Sequence, residues 1–147
     1  MKRAIVAAAT VIAMGLSPAL AGETPSSEGA KVYFVNLKDG DTVKGPVKVI
    51  FGLSGMGIAP AGIEQDGTGH HHLLVNRAPF LEGEDGPDEA DYNIPADDNH
   101  IHYGGGQTEA VLDLAPGAHT LQMVLGDKDH IPHNPPIYSS VIKITVE

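Results

Sequence analysis

Every histidine of this chain lies between positions 70 and 133. Seven of the eight are bunched: His70, His71 and His72 in a row, His100 and His102 one residue apart, His130 and His133 three apart. Imidazole is the commonest transition-metal ligand, and two rings at i and i+2 of an extended strand point the same way and form a chelating edge. With no cysteine in the chain, thiolates drop out of any donor set. Nitrogen donors of this kind suit copper and zinc, and nickel or iron less well. A thioether such as Met56 would tilt the choice towards copper, because soft sulfur favours Cu(I). The expected ligands are therefore His70, His72, His100 and His102, with Met56, His130 and His133 as second choices. Asp127 and Asp129 are placed to orient ligand rings from behind.

Plainer roles compete with this one. A histidine triplet can be a hydrogen-bonded cluster that fixes loops, or a set of rings that titrates near neutrality as a pH sensor. His71 alternates with Leu73 and Val75 and is expected in the core, leaving His70 and His72 on the opposite face. His119 stands alone and is expected to be structural. Residues 82–98 hold eight carboxylates and no basic residue. They do not match the spacing of a calcium-binding loop and are expected to form a solvated loop.

The elements that must position these rings read as strands. Lys31–Leu37 and Pro46–Leu53 are β-branched and alternating, and Lys38-Asp39-Gly40-Asp41 between them is a turn. His70–Asn76, His100–Tyr103, Glu109–Leu114, Ala118–Leu125 and Tyr138–Val146 follow, separated by glycine- and proline-rich loops. No segment from residue 22 onward has the period of an amphipathic helix. Seven short antiparallel strands over roughly 100 residues predict an all-β, immunoglobulin-like antiparallel sandwich over 31–147. If the strands alternate direction, the loops after the second, fourth and sixth lie at one end. That parity brings seven histidines and Met56 together and leaves only His119 at the other end.

The N-terminus has the look of an export signal: basic Lys2-Arg3, an apolar run from Ala4 to Leu16, and a small-x-small ending at Ala19-Leu20-Ala21. Residues 1–21 are expected to be removed, 22–30 to be a disordered polar lead-in, and the mature protein to be periplasmic or secreted with no membrane span. The chain carries 19 acidic against 9 basic residues and a formal charge of −10, which disfavours nucleic acid as a partner. Zero cysteines in an exported protein leave a hydrophobic core, not disulfides, to hold the fold.

Several segments, taken in order, carry a family resemblance. They are Phe51-Gly-Leu-Ser-Gly-Met56, Gly69-His-His-His-Leu-Leu74, His100-Ile-His-Tyr-Gly-Gly-Gly-Gln-Thr-Glu109, and Gly126-Asp127 followed by His130-Ile-Pro-His133. Over about 31–147 the chain resembles a family of exported bacterial domains of unknown function marked by the Gly-His-His-His-Leu-Leu segment. The resemblance implies a small envelope β-domain and brings no activity with it. A longer, more acidic segment around 82–91 departs from the pattern.

The function expected is a periplasmic histidine-rich metal-binding protein, for copper first and zinc second, acting in storage, delivery or tolerance, with an envelope protein as partner. One alternative is a redox enzyme of the copper–zinc dismutase type, which would need an open coordination position and Glu109 nearby as acid–base group. The other is a binding module with structural histidines, for which Phe80 and Tyr92 are the aromatic contacts to test.

Overall fold

The computed structural model describes residues 22–84 and 86–147; the expected signal segment 1–21 lies outside the described residues. Nine strands are present among the described residues: β1 Lys31–Phe34, β2 Thr42–Val43, β3 Val47–Ser54, β4 Gly57–Ile58, β5 Thr68–Val75, β6 His100–His102, β7 Glu109–Leu112, β8 Gly117–Gly126 and β9 Ile142–Val146. The seven expected strands are among them. β2 and β4 are two-residue additions, too short to leave a periodic signature, and each pairs in parallel with a sheet neighbour.

Two sheets face each other. β1, β3 and β7 form the smaller one, and the larger runs β2-β9-β8-β5, with β4 and β6 both pairing along β5. A constant immunoglobulin domain keeps its fourth strand in the sheet of the first, second and fifth; here the fourth of the seven expected strands, β6, pairs instead with the third, β5. That switch brings His102 beside His72.

Alternation along each strand fills the space between the sheets. Val32, Val47, Val49, Phe51 and Leu112 come from the smaller sheet, and Leu73, Leu121, Met123, Leu125, Ile142 and Ile144 from the larger. Burying each such side chain contributes about 1.5–3 kcal/mol against its loss of freedom, and no disulfide assists.

The outer face of the larger sheet is also buried, which overturns one expectation. The acidic segment is not simply a solvated loop. It folds back as a short 3-10 turn, Gly86–Asp91, and sets Phe80, Ala90 and Ile94 against Leu74 of β5 and Val124 of β8 in a second apolar cluster. Glu82, Glu84, Asp88, Asp91, Asp97 and Asp98 are exposed, Glu89 turns in to pair with Arg77, and the few apolar residues face the sheet. Gln122 of β8 fixes the segment further, its Oε1 accepting from the Phe80 N–H at 2.7 Å. Phe80 is thus a packing residue, whereas Tyr92 is exposed. The lead-in 22–30, expected as disordered, lies along the 126–136 loop. Ser26 N–H donates to Asn134 C=O at 3.0 Å, and Asn134 N–H to Thr24 C=O at 2.9 Å. Backbone pairing, with the Thr24 hydroxyl bonded to Asp127, accounts for most of this, which is why composition gave no sign of it.

Candidate metal centre

β5 is the floor of the site. It is covered on both faces and paired on both edges, so Gly69 to Val75 are all buried. Odd and even residues nevertheless face different surroundings. His71 points between the sheets, its ring centroid 5.1 Å from that of Phe51, and it is a core residue as alternation requires. His70 and His72 point to the outer face, where no protein surface is left for solvent to reach them.

The antiparallel register then adds a third ring. His72 lies opposite His102 and Leu74 opposite His100, so the two rings His72 and His102 stack with centroids 5.0 Å apart. A fourth arrives from the loop after β8, where His130 sits edge-on to His102 at 4.5 Å and to His70 at 5.0 Å. His70 Nε2 is 3.0 Å from His72 Nε2 and 3.1 Å from His130 Nδ1. One potential ligand atom from each of His70, His72, His102 and His130 lies within 4.8 Å of the others. No other group of three or more metal-ligating side chains is found among the described residues.

Glycines make the room. Gly126 is the β8 neighbour of His70, and a Cβ there would stand 2.8 Å from His72 Nε2. A Cβ on Gly104 would collide with the His102 ring, and one on Gly69 would come within 2.6 Å of the Gly126 carbonyl. All three sit in the resemblance segments, but their spacing in sequence gives no hint that they face imidazoles.

Burial and mutual repulsion set the protonation. Burial, with the neighbouring rings adding to it, lowers His70 to about 4 and His72 to about 2. His102 is lowered too, by burial and then by His130. These three rings are therefore neutral at pH 7, the form that ligates metals. Buried Asp127 raises His70 slightly against this trend and supplies negative potential beside the cluster.

Neutral rings this close cannot satisfy one another. A neutral imidazole carries one N–H and one lone pair. If His70 Nε2–H donates to His72, then His72 carries its own hydrogen on Nδ1, which has no partner in the protein; reversing the donor leaves His70 Nδ1 in the same position. His102 Nε2 is buried without a partner as well. The two shortest ring-nitrogen separations, 3.0 and 3.1 Å, and the 4.8 Å span of all four ligand atoms bracket the spacing around a tetrahedral ion, where bonds of 2.0–2.1 Å put nitrogens about 3.3–3.4 Å apart. The donor set fits a divalent transition ion.

The remaining expected ligands lie elsewhere. His100 is at the far end of β6, where its Nδ1–H donates to Asp97 at 2.8 Å and Arg77 donates to its Nε2. Antiparallel pairing sends it away from His70 just as it brings His102 near. His133 is fully buried but bonded to backbone, its Nε2 3.1 Å from the Thr68 carbonyl. Met56 packs against the main core, because β4 turns the chain inward right after it. Asp127 steadies a loop, not a ring. Its carboxylate accepts from Thr24 Oγ1 at 2.6 Å, Asp129 N–H at 2.9 Å and Ile131 N–H at 3.0 Å. Asp129 pairs with Lys128. Glu109 is exposed on the other sheet, paired with Lys48 at 3.1 Å, and is no acid–base group for this site. His119 bonds Asn76 and the Ala115 carbonyl, a structural role as expected. No helix among the described residues is long and apolar enough to cross a membrane.

Residues 49–147 match the model of a protein family described as Domain of unknown function (DUF4399). No curated protein and no solved structure matches the chain. The matched span contains all four clustered rings and every strand from β4 onward, and the chain belongs to this DUF4399 family.

Proposed function

We propose that the domain is a metal-binding protein of the cell envelope, holding one copper or zinc ion on His70, His72, His102 and His130. The observation that carries this is the convergence of four rings, two of them fully buried, with one potential ligand nitrogen from each within 4.8 Å of the others. With Met56 in the core the set is all nitrogen, which favours a divalent ion, copper(II) most tightly and zinc next in the usual affinity order. The export-like N-terminus points to the envelope as the place where the ion is met. Storage, delivery or tolerance is then the role, and an envelope protein the recipient.

Elemental analysis of untagged protein purified without chelator, followed by titration with Cu(I), Cu(II) and Zn(II), tests this. The expected result is about one equivalent bound, weakened at least about tenfold in His72→Ala and His102→Ala. Affinity unchanged in both variants, or no binding tighter than about micromolar, about −8 kcal/mol, would refute the assignment.

A further inference from the structure

The four rings are not held alike. His70, His72 and His102 are fixed by the β5–β8 and β5–β6 ladders, whereas His130 lies in the loop after β8, outside every strand. Its φ is +67°, a left-handed conformation that a residue with a side chain keeps only when its surroundings impose it. His102 and His130 are also the half-buried pair, so the centre opens to the exterior on their side.

Two sets of bonds hold His130. From its own loop, the His130 N–H donates to the Asp127 carbonyl at 3.0 Å, within the turn tied by the Asp127 carboxylate. From outside, the folded-back segment grips it. Ile94 N–H donates to the His130 carbonyl at 2.8 Å, and the Asn93 amide donates to the Asp129 carbonyl. The segment has purchase to do so: Ile94 is part of the apolar cluster on the outer face. At its root Arg77 pairs with Glu89, whose other oxygen accepts from Leu81 N–H at 2.9 Å.

We propose that residues 86–99, tied at Glu89 to Arg77, form a latch on the metal centre. By clamping the backbone around His130 through Asn93 and Ile94, the latch keeps the one loop-borne ligand in place and sets how fast the ion leaves. The inference rests on the metal reading above. When the latch lets go, the metal–nitrogen bond to His130 breaks and the ring departs neutral. An incoming donor, an imidazole or thiolate of an acceptor protein, then bonds to the ion on the half-buried side. The exchange changes no oxidation state and leaves the three strand-borne rings to hold the ion meanwhile. Asn93 is a positioning residue here, since it touches neither ion nor ring.

The test uses the full mature chain loaded with one equivalent of Zn(II) or Cu(II) and mixed with excess EDTA, with ion release followed in time. Asn93→Ala removes the clamp, and Asn93→Asp replaces the donating amide by an oxygen facing the Asp129 carbonyl. Release should quicken about threefold or more in Asn93→Ala, the effect of losing one hydrogen bond, and further in Asn93→Asp. The ion-free thermal midpoints should stay close to that of the parent, which separates a latch effect from general unfolding. In a His130→Ala background, Asn93→Ala should add nothing to the release rate. Release within twofold of the parent in both Asn93 variants overturns the latch while the metal centre stands. An undiminished Asn93 effect without His130 overturns it too. If the parent chain holds no ion, the latch and the metal reading fall together.

Discussion

Replacing His71 by leucine should stabilise this domain, and by more at pH 5 than at pH 7. His71 is 1 % exposed, lies between the sheets against Phe51, and neither of its ring nitrogens has a hydrogen-bond partner in the protein. At pH 7 removing those nitrogens recovers about 1–3 kcal/mol of desolvation, less about 0.5–1.5 kcal/mol for the lost ring contact with Phe51. The net gain is about 1 kcal/mol. Burial lowers the His71 pKa to about 4, against 6.5 when unfolded. The unfolded chain therefore binds a proton at this residue between those values while the folded one does not, so this contribution is intact above pH 6.5 and lost as pH falls towards 4. Between pH 7 and pH 5 the loss comes to about 2 kcal/mol at this one site, and the leucine variant escapes it. His70 and His72 titrate in both proteins and cancel from the difference. Urea unfolding of parent and His71→Leu at both pH values, with chelator present, gives the four free energies needed. A variant less stable than the parent at pH 7 would sink the argument, because the ring would then be making a bond. So would an advantage that failed to grow by at least about 1 kcal/mol at pH 5.

Two further outcomes follow from the packing around the rings. Gly104→Ala should weaken metal binding about tenfold or more without touching a ligand, since the new methyl occupies the space of the His102 ring; equal affinity by competitive titration would mean that the ring has another place to go. Phe80→Ala should cost about 3–5 kcal/mol if the outer cluster is cooperative with the fold. Hydrogen exchange would then show the loss spread through β5 and β8, whereas protection lost only in 77–99 would mark the segment as a separate unit.

Much of the site was legible because strands have a period of two. Alternation alone put His71 with Leu73 and Val75 and sent His70 and His72 to the other face, and the structure has them there. Strand parity likewise predicted that the histidine-bearing loops share one end. What the period could not supply was register. His100 and His102 face the same way as His72, and only the pairing of β6 decides that His102 meets it while His100 lies opposite Leu74. Met56 and His133 show the same limit, since both lie at the expected end of the sandwich and turn elsewhere.

The acidic segment is the larger omission. Phe80, Ala90 and Ile94 are too few and too unevenly spaced among carboxylates to read as an element. They acquire a partner only when β5 and β8 come together and present Leu74 and Val124 on the outer face. By itself the sequence determined an all-β chain, the face of each strand that is buried, and the residue types that could bind a metal, because these depend on local geometry and side-chain chemistry. Tertiary structure alone decided which four rings share a point, that glycines at 104 and 126 clear it, and that a segment distant in the chain, packed on the same outer face, grips His130. Those outcomes depend on contacts between residues far apart in the chain, and no local periodicity encodes them.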